Sequence, residues 1–266
     1  MDFTIITPNR NYGRFLEDCL SSVESQPGVQ VEHLLLDAGS TDESREVAAR
    51  FPHVTWIDSD DNGMSQAINR GFDRAQGRWV MWLNADDRFK PEVLRPLLEK
   101  LERSTADVVY GDFDFIAEEG RWIRSVRLPR WSPFIHIHHH CYIGSTAAFY
   151  RKASVIDAGF RLREDFRYVM DGEYYIRLHA AGKGFEHVSM NLADFRLHGG
   201  NASMKHLSKD ADFDTYVAAE RQHVESRAIR RYYGFTPFRD PYLNGISDAF
   251  LWVVARAWKA ILKKAE

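Results

Sequence analysis

Cysteine is nearly absent from this chain, which has only Cys19 and Cys141 and no CxxC pair. A disulfide framework and a structural zinc knuckle are therefore disfavoured, and a reducing, cytoplasmic compartment is expected. The first residues lack the basic segment and apolar core of a signal peptide, so no secretion signal is predicted.

The sequence also lacks long apolar runs and any excess of positive charge. No run approaches the roughly 20 apolar residues that span a bilayer, so no transmembrane helix is expected. The formal net charge is −3, which argues against a global basic field for binding nucleic acid. Hydrophobic residues make up 44% of the 266 residues, enough for the core of one large domain or two small ones.

The first hundred residues alternate between strand and helix patterns. Short apolar runs separate segments whose apolar residues recur at helical spacing. Strands are predicted at residues 3–7, 31–36, 54–57 and 78–83. The second helix is expected to begin with Ser40 or Thr41 as its N-cap, and the third to end at Gly77. This order predicts an α/β fold with a mostly parallel sheet and helices on both faces.

Beyond about residue 105 the pattern indicates a more antiparallel region, with no internal repeat and no clear linker. Further strands are predicted at 108–113, 122–128, 147–150 and 184–195. Further helices are predicted at 152–158, 171–181 and 206–233. The chain is therefore expected to form one domain with a C-terminal helical extension.

Two adjacent carboxylates, Asp86 and Asp87, follow the apolar stretch at 79–83. Placing both at the end of a buried strand is costly, because each is desolvated beside a like charge. A divalent cation offsets that cost and binds phosphates, so the pair predicts metal-assisted chemistry on a phosphorylated substrate. The alternative is a solvated loop in which one of the two caps a helix that begins near Pro91.

Polar side chains stand on three turns that follow predicted strands. Asn9 follows the first strand, Asp37 the second, and Asp86 with Asp87 the fourth. Ligands of parallel α/β sheets bind beyond the carboxyl ends of the strands, so these turns are expected to share one crevice.

Six blocks of the sequence follow one another in a characteristic order. They are Thr7-Pro8-Asn9, residues 37–42, residues 61–71, Leu83-Asn84-Ala85-Asp86-Asp87, residues 170–178 and Phe195-Arg196-Leu197-His198. This ordered set resembles the family 2 glycosyltransferases. The resemblance implies a GT-A-type, Rossmann-like fold, a nucleotide-sugar donor, and transfer with inversion at the anomeric carbon. The Gln-x-x-Arg-Trp element and membrane spans of processive synthases are absent, which favours addition of one sugar per binding event.

The resemblance also divides the chain. It implies a glycosyltransferase domain over residues 1–205, with a nucleotide-sugar half at 1–105 and an acceptor half at 106–205. Residues 206–266 would then form the helical extension. The acidic block, Asn84-Ala85-Asp86-Asp87, departs from a strict Asp-x-Asp, so it leaves open which carboxylate holds the metal.

The resemblance implies donor-binding roles for eight residues. It favours UDP as the donor nucleotide and leaves GDP and dTDP open. The eight residues are Thr7, Pro8, Asn9, Asp37, Asp61, Asn69, Arg70 and Asp86. Two of them have a second interpretation from the residues alone. Asp37 can cap its own turn, and Arg70 can be a solvated helix residue.

Metal and catalytic roles are implied for the remaining positions. Asp86, Asp87 and His198 would hold Mn²⁺ or Mg²⁺, which neutralises the departing nucleoside diphosphate. Asp171, at the start of a predicted helix, is the candidate general base for the acceptor hydroxyl. Glu173 is the second candidate and is also assigned to the acceptor site. The alternatives are that Asp171 is only an N-cap and that His198 is a surface-loop histidine.

A histidine-rich run occupies residues 136–141. On a strand, His136, His138 and His140 would share one face and could bind zinc. No carboxylate or second cysteine completes such a set nearby. An acceptor-binding loop with His139 or His140 facing the sugar is therefore favoured.

Residues 243–264 form an amphipathic pattern with basic residues on one face and two tryptophans, Trp252 and Trp258. This pattern predicts a helix on an anionic membrane, near a lipid-linked acceptor. The alternative is a helix packed on the protein itself or on a second copy in a homodimer.

The leading hypothesis is a metal-dependent inverting glycosyltransferase that transfers a sugar to a hydroxyl of a glycan or lipid-linked acceptor. It would serve bacterial surface polysaccharide biosynthesis, in the cytoplasm or peripherally on the cytoplasmic face of the membrane. A sugar-nucleotidyltransferase needs a glycine-rich phosphate loop after the first strand, which residues 7–11 do not provide. If the chain were a non-catalytic carbohydrate-binding protein, we would expect the acidic metal and base positions to be lost. Asp86, Asp87 and Asp171 are present.

Overall fold

The structure is a computed structural model that describes residues 1–138, 141–201, 225, 229, 252–254, 256–258 and 260–261. Most of the predicted extension at 206–266, including most of the helix expected at 206–233, lies outside these residues. The division of the chain at residue 205 therefore stays a prediction.

The described residues form one mixed sheet of nine strands. The strands are β1 (Phe3–Asn9), β2 (Val31–Asp37), β3 (Val54–Asp58), β4 (Trp79–Trp82), β5 (Arg88–Phe89), β6 (Val108–Ile116), β7 (Trp122–Val126), β8 (Ala148–Arg151) and β9 (Phe185–Arg196). Their order is β3-β2-β1-β4-β8-β6-β9-β5, with β7 paired to β6. The first four strands are mutually parallel, whereas β8 pairs antiparallel with both β4 and β6. The predicted parallel first half and more antiparallel second half are confirmed.

Six α-helices connect the strands in the described part of the chain. They are α1 (Gly13–Glu24), α2 (Ser44–Ala48), α3 (Met64–Arg74), α4 (Leu94–Arg103), α5 (Pro133–His138) and α6 (Met170–Ala180). None of the described helices combines the length and hydrophobicity that crossing a membrane requires.

Core residues lie on both faces of the sheet, as strand β2 shows. Leu34 and Leu36 belong to one apolar cluster with α3, whereas Leu35 belongs to a second cluster with Leu16 of α1 and Val47 of α2. Successive side chains of a strand point to opposite faces, so helices must cover both faces of β2. This confirms the layered α/β architecture.

Two helix boundaries differ from the prediction. Helix α2 begins at Ser44, so neither Ser40 nor Thr41 is its N-cap. Ser40 instead donates its hydroxyl to Asp37 at 2.5 Å, in the turn after β2. Helix α3 ends at Arg74, and Gly77 is not its terminal glycine. A Cβ at Gly77 would lie 2.3 Å from the Phe3 carbonyl carbon, so this glycine permits close contact with β1.

Three predictions in the second half of the chain are also corrected. Residues 133–138 are helical, so the strand that would place His136, His138 and His140 on one face is wrong. The segment predicted as a helix at 152–158 is a short π-helix, Lys152–Ile156. Helix α4 begins at Leu94 and has no side-chain cap, so neither carboxylate of the acidic block caps it.

Candidate active site

A cleft with a cavity volume of about 300 Å³ opens where β1, β2 and β4 end. It is lined by side chains from the turns after these strands and from the first turns of α3 and α6. Five residues proposed from the sequence line it, namely Pro8, Asn9, Asp61, Asp86 and Asp171. The crevice expected at the carboxyl ends of the parallel strands is therefore present.

Strand register places Asp37 beside Asn9, which lines the cleft, although Asp37 itself does not line it. The two are partners at the ends of β1 and β2, and Asn9 Nδ2 donates to Asp37 Oδ1 at 2.7 Å. Asp37 also accepts the Ser40 backbone N–H at 2.8 Å, so it closes its own turn. Asn9 Oδ1 is buried without a hydrogen-bond partner among the described residues. A ligand that donates a hydrogen bond would satisfy this acceptor.

Thr7 and Asn69, two other predicted donor residues, make internal contacts. The Thr7 hydroxyl lies 2.9 Å from His33 Nε2 in the core beneath the cleft. Asn69 is paired with the backbone of Leu162 through both its Nδ2 and its Oδ1. These contacts hold β1 and α3 in place, and neither side chain lines the cleft.

Asp61 presents a second buried acceptor to the cleft. Its Oδ1 accepts from Arg70 Nε at 3.1 Å and from an Arg70 terminal nitrogen at 2.9 Å. Its Oδ2 has no hydrogen-bond partner among the described residues. Arg70 is therefore bound by acidic side chains, Asp60 included, rather than directed at the cleft.

The acidic block is held by residues from the end of β9 and the loop after it. Asp86 Oδ2 lies 2.9 Å from His198 Nε2 and accepts from Asn201 Nδ2 at 3.1 Å. Asp87 Oδ1 accepts the Arg196 backbone N–H at 3.0 Å. Two segments more than a hundred residues apart in sequence therefore form one acidic site.

The hydrogen bonds assign the neutral tautomer of His198. Its Nδ1 accepts the Gly200 backbone N–H at 3.1 Å, so Nε2 carries the proton and donates to Asp86. His198 is buried and its ring lies 4.7 Å, centre to centre, from that of Phe15. It is thus fixed beside the acidic block and is not a mobile surface-loop residue.

Burial and the neighbouring Asp86 charge raise the pKa of Asp87 well above its usual value. This uncompensated negative charge fits a divalent cation, which would bind the two carboxylates and remove their mutual repulsion. Within the described ranges, no group of three or more His, Cys, Asp or Glu side chains could hold a metal. One or two carboxylates suffice when substrate phosphates and water complete the shell, as is usual for Mg²⁺.

Asp171 lies in the first turn of α6 and faces the same cleft. The N-cap is Val169, so the N-cap interpretation of Asp171 is wrong. Asp171 Oδ1 accepts the Gly172 N–H at 2.7 Å. Burial nevertheless raises the pKa of Asp171 from 3.8 to about 6, because desolvation disfavours the charged form. This is the pKa range of a general base that works near neutral pH.

Of the acceptor residues proposed from the sequence, Glu173 is described, and it does not line this cleft. Glu173 is fully buried and forms a two-point ion pair with Arg177, at 2.8 and 3.0 Å. His139 and His140 lie outside the described residues. His136 is bonded through Nε2 to the Gly172 carbonyl at 3.1 Å.

Sequence reasoning missed several residues that line the cleft. Arg10 and Arg167 bring exposed guanidinium groups to it, and Tyr12 and Asn201 line it beside the acidic block. Arg10 and Tyr12 directly follow the first predicted strand, so their position was a usable signal. Arg167 and Asn201 come from distant segments, and no local pattern marks them.

The family model that describes glycosyl transferase family 2 matches residues 4–161. The chain belongs to this family. It is a glycosyltransferase, which disfavours both the nucleotidyltransferase and the non-catalytic alternatives.

Several bacterial relatives support this assignment. A PGL/p-HBAD biosynthesis glycosyltransferase of Mycobacterium bovis is 33% identical over 66% of this chain and 68% of its own length. An uncharacterised glycosyltransferase of Nostoc is 27% identical over 88% of this chain and 78% of its own. A putative teichuronic acid biosynthesis glycosyltransferase of Bacillus subtilis is 32% identical over 44% of this chain and 48% of its own.

Solved structures confirm the GT-A fold. S. aureus TarS in complex with UDP-GlcNAc superposes with a TM-score of 0.64, at 15% identity, over 96% of this chain and 79% of that one. A mannosyltransferase of Pyrobaculum calidifontis in complex with GDP-Man and Mn²⁺ gives a TM-score of 0.59, at 13% identity, over 97% of this chain and 86% of that one.

Proposed function

We propose that this glycosyltransferase transfers one sugar from a nucleotide-sugar donor to an acceptor hydroxyl, with inversion at the anomeric carbon. The observation that carries the proposal is the presence of Asp86 and Asp171 in one cleft of about 300 Å³. Asp86 belongs to an acidic pair suited to a cation, and Asp171 has a pKa suited to a base. A donor diphosphate at Asp86 and an acceptor hydroxyl at Asp171 would share that space.

The donor half of the cleft fits a nucleotide. Asn9 Oδ1 and Asp61 Oδ2 are buried acceptors without partners among the described residues, and a base N–H or a ribose hydroxyl would satisfy them. Arg10 and Arg167 can pair with the diphosphate, since planar guanidinium groups bind phosphate well. UDP is favoured because TarS is bound to UDP-GlcNAc, and GDP stays open because the mannosyltransferase is bound to GDP-Man.

A divalent cation, Mn²⁺ or Mg²⁺, is proposed at Asp86 and Asp87, with His198 beside them. When bound, it would stabilise the negative charge that develops on the departing diphosphate. The P. calidifontis mannosyltransferase, bound to Mn²⁺, supports this assignment. In the free enzyme, His198 and Asn201 hold the Asp86 carboxylate in one orientation through Oδ2.

Asp171 is the proposed general base. It would accept the proton of the acceptor hydroxyl as that oxygen attacks the anomeric carbon from the face opposite the diphosphate. The proposed acceptor is a hydroxyl of a glycan or a lipid-linked sugar, in bacterial surface polysaccharide biosynthesis. This proposal is supported by the names of two relatives, a PGL/p-HBAD biosynthesis glycosyltransferase and a putative teichuronic acid biosynthesis glycosyltransferase.

Calorimetry with a panel of donors tests this function. UDP-, GDP-, dTDP- and CMP-sugars are titrated with and without Mn²⁺ into the wild type and into the Asp86→Asn/Asp87→Asn double variant. The matched control is Asp157→Asn, which removes a half-exposed carboxylate that pairs with Lys152. We expect metal-dependent binding of one nucleotide class, retained in the control and lost in the double variant. Absence of binding of every nucleotide with metal present would contradict the proposal.

A further inference from the structure

The described helical residues near the C-terminus expose large apolar side chains. Trp252, Val253, Val254, Trp258 and Ile261 are between 38% and 59% exposed. Residues of these types are normally buried, and a cluster of them on one short segment marks an interaction surface.

Part of this segment forms an open groove with helix α5. Val254, Ala257, Trp258 and Ile261 line the groove together with Phe134 of α5. They are about one helical turn apart, so they lie on one face of the segment. The groove has a volume of about 340 Å³, and the described residues that line it are all apolar. We call the five lining residues, with Trp252 and Val253, the apolar surface.

The apolar surface is connected to the acceptor side of the catalytic cleft through α5. Phe134 and His136 are on the same short helix, and His136 Nε2 bonds the Gly172 carbonyl at 3.1 Å. Gly172 follows Asp171, the proposed base. One short helix thus links a residue of the groove to the first turn of α6, which carries the proposed base.

Charge decides between the occupants that this surface could have. Residues 243–264 contain four basic residues and one acidic residue, Asp248, although the whole chain has a net charge of −3. The basic residues are Arg256, Lys259, Lys263 and Lys264. The Arg256 guanidinium lies 5.3 Å from the Trp252 ring, so a cation stands directly beside an apolar anchor.

A symmetric homodimer would place this basic segment opposite its own copy, because a two-fold interface pairs the same patch on both subunits. Like charges would then oppose association. An anionic lipid surface has complementary charge, and tryptophan is enriched at the membrane–water interface.

We propose that the apolar surface docks on an anionic bilayer, with its tryptophans at the interface and the adjacent Arg256 against the lipid headgroups. The proposal does not depend on the donor or on the chemistry at Asp171, so it can fail while the proposed transferase activity holds.

Vesicle co-sedimentation of the full chain tests the proposal, with phosphatidylcholine vesicles and with phosphatidylcholine–phosphatidylglycerol vesicles. The apolar variant is Trp258→Glu/Ile261→Glu, and the charge variant is Arg256→Ser. The matched control is Trp122→Glu, since Trp122 is 58% exposed but lies on β7. Strand β7 pairs with the end of β6 that lies beside Arg196 of β9. Trp131, which precedes α5, stacks on Phe185 at the other end of β9. All four substituted side chains are exposed, so the fold should tolerate the changes.

We expect binding only to vesicles with the anionic lipid, falling at least tenfold in the apolar variant and about fivefold in the charge variant. The control should bind like the wild type, and hydrolysis of a soluble donor should be unchanged in every variant. Equal binding to both vesicle types, or retained binding in the apolar variant, would overturn the proposal. A wild-type dimer that the apolar variant converts to monomer, without vesicle binding, would overturn it in favour of a second copy.

Discussion

The carboxyl group of Asp171 experiences two opposing effects. The Gly172 N–H stabilises its charged form, whereas burial disfavours that form, and burial prevails because the pKa rises to about 6. A base must be deprotonated to accept a proton. Its activity is therefore present above this pKa and is lost as the pH falls through it.

The pH dependence of transfer follows from this pKa. We expect kcat/KM to be level above about pH 7 and to fall tenfold per pH unit below about pH 6, because the protonated carboxyl cannot accept a proton. A rate profile of the wild type from pH 4.5 to 8 measures this. Asp171→Asn should lose most activity at every pH.

Glu173→Gln is the control for this assignment, because Glu173 is the other acidic residue proposed as the base. Loss of the ion pair with Arg177 should make this variant less stable. The pH at which the rate falls to half should nevertheless stay the same. If the acidic limb of the pH–rate profile persisted in Asp171→Asn and disappeared in Glu173→Gln, Glu173 and not Asp171 would be the general base.

Arg196 is a buried residue on which the acidic block depends. Its Nε donates to the Asp86 carbonyl at 2.8 Å, and its terminal nitrogens donate to the Glu118 carbonyl at 2.7 Å and to Asp18 at 2.6 Å. One guanidinium therefore ties the turn after β4 to α1 and to the β6–β7 hairpin.

We expect Arg196→Met to lower the free energy of unfolding by about 2–4 kcal/mol, since it leaves the Asp86 carbonyl and the partly buried Glu118 carbonyl without this donor. Arg196→Lys should recover less than half of this loss, because an ammonium cannot donate in three directions from that position. Urea denaturation measures both. Arg50→Met, which removes an exposed pair with Glu17, should change stability by less than about 1 kcal/mol. Equal losses of unfolding free energy in the Arg196 and Arg50 variants would show that the buried contacts of Arg196 stabilise the fold no more than an exposed ion pair does.

At the scale of elements, the turn between α3 and β4 is pressed against strand β1. A Cβ on Gly77 would lie 2.3 Å from backbone atoms of Phe3 and Thr4, which cannot move without shifting β1. The same strand ends at Asn9, which lines the cleft. Packing at this glycine is therefore connected to the position of a proposed donor contact.

We expect Gly77→Ala to destabilise the fold by about 3 kcal/mol or more, because the new methyl group overlaps main-chain atoms. Affinity for the nucleotide should fall as well, through displacement of Asn9. Thermal unfolding and calorimetry measure the two effects. Gly184→Ala is the control, because its nearest neighbour would be 3.6 Å away. Similar small losses in both variants would contradict the close packing of this turn on β1.

The sequence predicts the central strands better than the edges and connections. Strands β1 to β4 are short apolar runs, because both of their faces are covered by helices. Strand β5 has only two residues and exists through pairing with β9, more than a hundred residues away. Helix α5 carries alternating histidines that resemble a strand pattern, yet it is helical and contacts the distant helix α6 through His136 and Gly172. Local hydrophobic periodicity does not indicate which distant segments pair.

At the scale of the whole molecule, the cleft combines segments that the sequence marks with segments that it does not. Asn9, Asp61, Asp86 and Asp171 were predictable, since each follows or begins a regular element facing one edge of the sheet. Asn69 and Thr7 lie in sequence blocks that resemble the family, but their side chains form hydrogen bonds with Leu162 and His33 inside the protein. Arg167 lies in a loop that only the tertiary fold brings to the cleft.

Stability of the whole fold should respond to the proposed cation. A ligand at about 100 times its Kd adds about 2.7 kcal/mol to the free energy of unfolding, which corresponds to about 5–10 °C in Tm for a domain of this size. We expect Mn²⁺ with the preferred nucleoside diphosphate to give this shift, and either alone to give much less. The reason is that the acidic pair supplies only part of a coordination shell, and the diphosphate supplies the rest.

The Asp86→Asn/Asp87→Asn variant separates this effect from simple loss of structure. Burial and then the neighbouring Asp86 charge raise the pKa of Asp87, which means that the charged carboxylate disfavours the folded state. We therefore expect the ligand-free variant to melt at the wild-type temperature or above it. The Mn²⁺-dependent increment should nevertheless disappear, whereas Asp157→Asn should keep it in full. An increment that persists in the double variant would place the cation elsewhere, because no other pair of described carboxylates in the cleft combines burial with this repulsion.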